Sequence, residues 1–217
     1  MTQTSYIFGF HALRIAIHNH PNTILQLYLQ TGRDDDRMQA LLSLAESHGI
    51  PVSQTDSVTL DQLSQGQVHQ GMLAQVKQPL RYSEQDLSAL LELESAPLLL
   101  LLDCVQDPHN LGACLRSANA FNACAVIVPK DRAVGMTPVV EKVACGAAAL
   151  TPLITVTNLV RTMKWLQHQG VWIVGTDDEC KHQLHEIDLA GPIGIVMGNE
   201  GTGMRRLVRE QCDFLAR

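Results

Sequence analysis

One stretch of the chain has an amide side chain and a guanidinium close to a glycine, and these residue types could form a ligand-binding site. Asn110, Gly112 and Arg116 follow the apolar run 97–102 within fifteen residues. That run is typical of a strand buried on both faces, and the residues after Asn110 have helical periodicity. On such a helix Gly112 and Arg116 lie on one stripe, so we expect open space around the arginine.

Two ordinary interpretations of these residues stay open at this point. Arg116 could be a solvated surface side chain, and Asn110 could cap the helix that follows it. The loop, however, leaves the end of a strand in a strand–loop–helix–strand unit. In an open α/β sheet, loops at the carboxyl ends of strands hold the ligands. The sequence therefore favours a site here.

A second stretch consists of another predicted apolar strand, residues 193–197, followed by the turn Gly198-Asn-Glu-Gly-Thr-Gly203 and then by a predicted helix. Glycines at such a turn let backbone N–H groups approach a ligand and aim a helix N-terminus at it. The turn could equally be a tight connection, and Glu200 could be a helix cap or a positioned catalytic carboxylate. The pattern is neither the dinucleotide fingerprint nor a phosphate-binding loop with its lysine.

The elements around these stretches predict an α/β protein with two domains. Residues 1–77 form a small α/β domain, residues 78–96 a linker with a short acidic helix, and residues 97–217 a second domain. Strands alternating with helices in the second domain predict a mostly parallel sheet. We expect its strands at 98–102, 125–129, 153–156, 171–175 and 193–197, and its helices at 111–121, 138–148, 158–169 and 202–210. In the first domain we expect helices at 9–18, 34–48 and 57–63 and strands at 23–29, 51–54 and 71–76.

Composition excludes several classes of protein. The chain is 46% apolar with a formal net charge of −6, which argues against a non-specific nucleic-acid binder. No apolar run is long enough for a membrane span and the first residues do not look like a signal peptide, so we expect a cytoplasmic protein without a membrane partner. One local basic surface is a candidate, formed by Arg205, Arg206 and Arg209.

Cysteine and histidine spacing does not predict a metal site. The six cysteines contain no C-x-x-C pair and are expected to be reduced. Cys180, His182 and His185 offer metal-binding side chains close together, but a set of four ligands with suitable spacing is missing.

The two glycine-containing stretches together resemble the motifs of the SpoU (TrmH-like) branch of the SPOUT RNA ribose 2′-O-methyltransferases. Motif 1 of that family, N-x-G-x-x-x-R-x-A, is matched by residues 110–118, and motif 2, G-x-E-x-x-G, by residues 198–203. The surrounding sequence is similar to members that methylate a guanosine of bacterial 23S rRNA. Residues 8–12 and 68–71 are similar to the ribosomal-protein-L30e-like substrate-binding domain of those enzymes.

The resemblance implies a cofactor, partners and roles for individual residues. The implied cofactor is S-adenosylmethionine, held by a C-terminal trefoil knot, and the implied partners are 23S rRNA and a second copy of the chain, with no DNA. Arg116 takes the position of the catalytic arginine, with Asn110 beside it and Glu200 as the motif 2 acid. The cofactor pocket is implied to include three further residues, Gly198, Gly201 and, by looser analogy, Thr176.

The sequence departs from the family pattern at its end. A third motif, an Ile-Pro-Met strand followed by a Ser-Leu-Asn turn, is not found up to Arg217. We therefore expect an incomplete knot and weak binding of S-adenosylmethionine by these 217 residues. The alternatives are an inactive RNA-binding protein that keeps the fold, and a related enzyme that acts on tRNA. A nucleotide-dependent oxidoreductase is least consistent with the sequence.

Overall fold

The computed structural model describes residues 5–77 and 80–217. They divide into two compact units. The first extends to Arg81 and includes Ala149–Pro152, and the second comprises Tyr82–Ala148 and Leu153–Arg217. Within the described residues, every helix is too short or too polar to cross a membrane. Two residues of the predicted linker, Gln78 and Pro79, lie outside the described residues, as do the first four residues of the chain.

The first unit is a four-stranded mixed sheet with three helices. Asp35 and Asp56 are the N-caps of two of the helices, because their carboxylates accept hydrogen bonds from backbone N–H groups three residues later in the chain. The sheet order is β1-β4-β2-β3, in which only β2 and β3 are parallel. Strand β1 was not predicted. The elements are β1 (Ser5–Phe8), α1 (Phe10–Asn19), β2 (Ile24–Gln30), α2 (Asp36–Ser47), β3 (Val52–Thr55), α3 (Ser57–Ser64) and β4 (Met72–Val76).

The second unit is built on a six-stranded sheet in which all strand pairs are parallel, as its alternating pattern predicts. The strand order is β10-β8-β9-β5-β6-β7, so the direction of winding reverses between β5 and β9. Its elements are α4 (Leu87–Leu93), β5 (Leu98–Leu102), α5 (Pro108–Ala120), β6 (Ala125–Pro129), α6 (Pro138–Ala144), α7 (Ala147–Leu150), β7 (Leu153–Val156), α8 (Leu159–His168), β8 (Trp172–Thr176), β9 (Ile193–Met197), α9 (Arg206–Glu210) and β10 (Phe214–Ala216).

Three of the predicted boundaries in this unit are wrong. Helix α5 begins at Pro108, three residues before its predicted start, because the Asp107 carboxylate accepts a hydrogen bond from the backbone N–H of His109. The predicted helix 138–148 is broken because Cys145 and Gly146 both have positive φ, 51° and 86°. The predicted helix 202–210 is reduced to α9, and β10 was not predicted.

Strand β5 is the centre of the second unit. It lies between β9 and β6, and Leu99, Leu101 and Leu102 have no solvent exposure. Helix α5 covers the sheet with Leu111 and Leu115, which are also fully buried. The carboxyl ends of β5, β8 and β9 therefore face the same edge of the sheet, where the two motif-containing loops begin.

Candidate active site

Asp103 ties the loop after β5 to the loop after β9. Its carboxylate is fully buried and accepts hydrogen bonds from Arg205 at the backbone N–H (2.7 Å) and at Nε (2.8 Å). The Arg205 Nη2 lies 2.6 Å from the same carboxylate. The Asp103 N–H donates to the carbonyl of Met197 at 2.8 Å, and the Asn199 amide donates to the carbonyl of Cys104 at 3.2 Å. These contacts fix the two loops relative to one another.

Helix α5 carries Asn110 in its first turn and Arg116 two turns later. Asn110 is half-buried and Arg116 is exposed, and neither side chain has a hydrogen bond or ion pair with any residue in 5–77 or 80–217. The alternative in which Asn110 caps the helix is wrong, because Asp107 is the cap.

Gly112 has a role that the sequence did not indicate. We expected it to leave open space beside Arg116, but it is buried against α6. A Cβ at this position would lie 2.7 Å from the Val143 Cβ and 3.1 Å from the carbonyl oxygen of Val140. The glycine therefore lets α5 and α6 approach closely, and the accessibility of Arg116 comes from its own position on the helix.

The glycine turn after β9 closes on itself. Asn199 and Gly203 exchange two backbone hydrogen bonds of 3.0 and 2.8 Å, and the Gly201 N–H donates to Oδ1 of Asn199 at 2.9 Å. Gly198 is required because an added Cβ would lie 2.2 Å from the backbone carbonyl carbon of Gly203. The expectation that this turn aims a helix N-terminus at a ligand is wrong, since α9 begins only at Arg206.

A cavity of about 680 Å³ opens at the carboxyl ends of β8 and β9. Four of the predicted site residues line it, Thr176, Gly198, Glu200 and Gly201, whereas Asn110 and Arg116 do not. Thr176 is the last residue of β8, and its hydroxyl donates to the carbonyl of Val196 at 3.1 Å. Glu200 is exposed within the turn, six residues before α9, so it does not cap that helix.

Charged side chains dominate one side of this cavity. Asp177 accepts a 2.5 Å hydrogen bond from Nε of Arg209, and this bond lowers the pKa of the Asp177 carboxyl, with a smaller contribution from the backbone N–H of Glu179. The cavity lining includes four carboxylates and two guanidinium groups: Asp177, Asp178, Glu179, Glu200, Arg209 and Arg217. The excess of negative charge suits a ligand that carries positive charge.

The predicted basic surface of Arg205, Arg206 and Arg209 is wrong. Arg205 pairs with Asp103, Arg206 with Glu210 at 2.7 Å, and Arg209 with Asp177. Each guanidinium is neutralised by a carboxylate, so adjacency in sequence did not produce a positive surface.

Cys180, His182 and His185 are not brought together by the structure. The Cys180 thiol donates to the carbonyl of Leu215, and His182 Nδ1 lies 3.6 Å from the Glu186 carboxylate. These three side chains do not form a group of metal-binding atoms within the described part of the chain.

Sequence reasoning missed Asp103 and Asp177 as members of the site. Both come directly after a buried strand, Asp103 after β5 and Asp177 after β8. A carboxylate at that position is a usable signal, because the carboxyl ends of parallel strands share one edge of the sheet. Their partners, Arg205 and Arg209, are far away in sequence and could not be identified from spacing.

Two family models match this chain. One, described as the SpoU rRNA Methylase family, matches residues 97–217, and the other, described as RNA 2′-O ribose methyltransferase substrate binding, matches residues 6–82. Among curated proteins, the 23S rRNA (guanosine-2′-O-)-methyltransferase RlmB of Coxiella burnetii is 52% identical over 217 residues, which is 100% of this chain and 86% of that protein. RlmB of Pseudomonas aeruginosa is 51% identical over 218 residues, covering 100% of this chain and 88% of that protein.

Solved structures show the same fold. The SpoU methyltransferase AviRb from Streptomyces viridochromogenes, in complex with the cofactor AdoMet, has a TM-score of 0.57 and 20% identity, covering 98% of this chain and 80% of that one. An rRNA methyltransferase from Sinorhizobium meliloti has a TM-score of 0.55 and 20% identity, covering 100% of this chain and 79% of that one.

Proposed function

This chain belongs to the SpoU rRNA methylase family, and from that membership we propose that it methylates the ribose 2′-hydroxyl of a guanosine in 23S rRNA, with S-adenosylmethionine as the methyl donor. The activity named for relatives at about 50% identity over the whole chain supports the reaction and the substrate. The observation that carries the proposal is the exposed, unpaired Arg116 on the helix whose start, after β5, lies at the same sheet edge as the cavity.

The cavity at β8 and β9 fits the cofactor in size and in charge. Its volume lies within the range of small-molecule sites, and S-adenosylmethionine brings a sulfonium and an ammonium group to a lining rich in carboxylates. We propose that Thr176, Gly198 and Gly201 hold the cofactor, since these residues line the cavity and two of them lack side chains that would fill it. The bound cofactor supplies an electrophilic methyl group.

Arg116 orients the substrate in this proposal. A guanidinium has a pKa above about 12, so it is a poor general base. It is well suited to hold the ribose hydroxyl and a neighbouring phosphate through its planar set of donors, and to stabilise negative charge that develops on the oxygen. Asn110, almost two turns earlier on the same helix, supplies an amide. The Glu200 carboxylate, exposed in the turn, takes the place of the acidic residue of motif 2 and is a group that can accept the proton that the hydroxyl loses.

The remaining assignments concern domains and partners. We propose that residues 1–77 are an L30e-like RNA-binding domain, residues 78–96 a linker and residues 97–217 the methyltransferase domain, supported by the two family matches. A 2′-hydroxyl target requires RNA and excludes DNA. A homodimer remains a prediction from the resemblance, and a cytoplasmic location remains a prediction from the sequence.

The experiment compares Arg116→Ala and Arg116→Lys with Arg161→Ala, which removes an exposed arginine paired with Glu84 on the surface. Methyl transfer to unmodified 23S rRNA is measured with radiolabelled S-adenosylmethionine, and cofactor binding by calorimetry. We expect Arg116→Ala to abolish transfer, Arg116→Lys to lose most of it because lysine lacks the planar fork, and both to keep the cofactor affinity of the unsubstituted chain.

Three outcomes would contradict the proposal. Equal loss of cofactor binding and transfer in Arg116→Ala would make the arginine structural. Full activity of Arg116→Lys would remove the argument for planar contact. If 23S rRNA from cells lacking the gene keeps all its 2′-O-methylated guanosines by mass spectrometry, the rRNA target is wrong. Absence of cofactor binding in the same calorimetry would favour an inactive RNA-binding protein.

A further inference from the structure

Three exposed cations near the candidate site have no partner. The side chains of Arg116, Lys130 and Arg132 make no hydrogen bond or ion pair with any residue in the described ranges 5–77 and 80–217. This separates them from Arg205, Arg206 and Arg209, each of which pairs with a carboxylate. A cation that no carboxylate neutralises keeps its full attraction for an anionic ligand.

Lys130 and Arg132 are held in place by backbone hydrogen bonds around them. The Lys130 N–H donates to the carbonyl of Val156 at 2.8 Å, which fixes the residue at the end of β6. Two residues after Arg132, the Val134 N–H donates to the carbonyl of Val105 at 3.0 Å, which joins this loop to the loop after β5. Arg132 itself has a φ of 60°, a conformation that non-glycine residues rarely adopt.

Arg132 also lies close to the loop that carries the site. Its positive charge acts on the Cys104 thiol, where it opposes the effect of burial that raises the pKa of that thiol. The carbonyl of Cys104 is bonded to Asn199 of the glycine turn. The loop that carries Arg132 is thus bonded to the loop after β5, which is itself bonded to the glycine turn.

The strand order arranges these features in a row along one sheet edge. The cavity follows β8 and β9, the helix with Asn110 and Arg116 follows β5, and Lys130 and Arg132 follow β6. Adjacent strands are about 4.8 Å apart. The unpaired cations after β6 thus follow the strand next to β5, on the side away from the cavity.

We propose that Lys130 and Arg132 bind backbone phosphates of single-stranded RNA immediately beside the target nucleotide. The proposal rests on the proposed function, because it takes the ribose to lie at Arg116. Contacts to phosphates position an RNA strand without reading its bases, so these residues set the register of the strand over the site. Asp131, which is exposed between them, offsets part of their charge, and Asp107 is occupied as the cap of α5.

The test uses the full chain with Lys130→Gln and Arg132→Gln combined, which removes both charges and keeps most of each side-chain stem. The control is Lys164→Gln, since Lys164 is an exposed, unpaired cation on α8. Binding to unmodified 23S rRNA is measured over a series of salt concentrations, with the initial rate of methyl transfer and the affinity for S-adenosylmethionine. Thermal unfolding confirms that the substitutions leave the fold intact.

We expect the double substitution to weaken RNA binding at least about tenfold and to lower the salt slope by about 1.4, or about 0.7 for each lost phosphate contact. KM for the RNA rises, kcat at saturating RNA is retained, and cofactor affinity is unchanged. Lys164→Gln should leave all of these as they are.

The results separate the two proposals. If the double variant has the same RNA affinity and salt slope as Lys164→Gln, this inference is overturned. Methylation by the unsubstituted chain would still support the proposed function. If the double substitution lowers the RNA affinity and the salt slope but the unsubstituted chain does not methylate RNA, the RNA contact is supported and the proposed methylation is refuted. A chain that does not bind 23S rRNA would refute both.

Discussion

Replacing one partner of the buried ion pair Asp103–Arg205 should lower the free energy of unfolding by an amount that depends on which partner is replaced. Arg205→Met leaves the Asp103 carboxylate fully buried with one backbone N–H and the weakly donating Cys104 thiol as its donors, whereas Asp103→Asn leaves Arg205, whose side chain is 40% exposed and can be hydrated. Removing the partner of a buried charge costs about 3–5 kcal/mol, and losing hydrogen bonds to a charged group costs about 1.5–3 kcal/mol. We expect about 3 kcal/mol for Arg205→Met and about 2 kcal/mol for Asp103→Asn.

Urea unfolding followed by tryptophan fluorescence measures these costs in the second unit alone, because both tryptophans, Trp165 and Trp172, belong to it. With a slope of about 2 kcal/mol per molar urea, a loss of 3 kcal/mol moves the midpoint by about 1.5 M. The matched control is Arg206→Met, which breaks an exposed pair with Glu210 and should cost less than about 1 kcal/mol.

The double substitution Asp103→Asn with Arg205→Met tests the coupling between the two side chains. It removes both charges, so its cost should fall about 1–2 kcal/mol short of the sum of the single costs. Additive costs would mean that the pair does not act as a unit. If Asp103→Asn proves as costly as Arg205→Met, the argument from the burial of the remaining charge is refuted.

Three further predictions concern the cavity and the thiols. Gly198→Ala should abolish cofactor binding in calorimetry because its Cβ would overlap the backbone of the turn, while Gly135→Ala, which meets no atom within 4 Å, should not. Asp177 has a lowered pKa in the folded protein, so its stabilising contribution is present above about pH 4 and is lost as the pH falls further; Asp177→Asn should flatten the unfolding free energy against pH in that acidic range. At pH 8 an alkylating reagent should label the exposed Cys145 well before Cys212, because burial raises the pKa of Cys212 to about 12, and mass spectrometry of the modified peptides reads the order. Equal cofactor affinity of the two glycine variants would contradict the first argument. An unchanged pH dependence of the unfolding free energy in Asp177→Asn would contradict the second, and labelling of Cys212 as early as Cys145 would contradict the third.

The sequence predicted the second unit well where hydrophobic patterning decides the structure. The continuous apolar run that became β5 predicted a buried strand, and the alternation of strands with helices predicted a parallel sheet. Gly170 follows the cap of α8 with a φ of 86°, a conformation that favours glycine after a helix. These features depend on local residue types, so one sequence is enough to infer them.

Features that depend on distant partners could not be predicted. The surroundings of Gly112 are set by Val143 on another helix, and the state of Arg205 is set by a carboxylate about a hundred residues away. The resemblance implied Gly198, Glu200 and, by looser analogy, Thr176 as site residues, but it did not indicate Asp177 or Arg209, which line the same cavity. Sequence spacing cannot tell a neutralised arginine from a free one.

The position of β9 has a consequence for the order in which the protein can fold. Strand β5 pairs with β9 along all five of its residues, although almost a hundred residues separate the two in the chain. Bringing such distant segments together costs loop-closure entropy before any contact offsets it, which slows folding. During synthesis, β5 and β6 emerge long before β9, and an apolar edge of β5 stays uncovered for that interval. Expression at lower temperature or with added chaperones should therefore raise the yield of soluble second unit more than that of the first unit, whose sheet is complete by Val76.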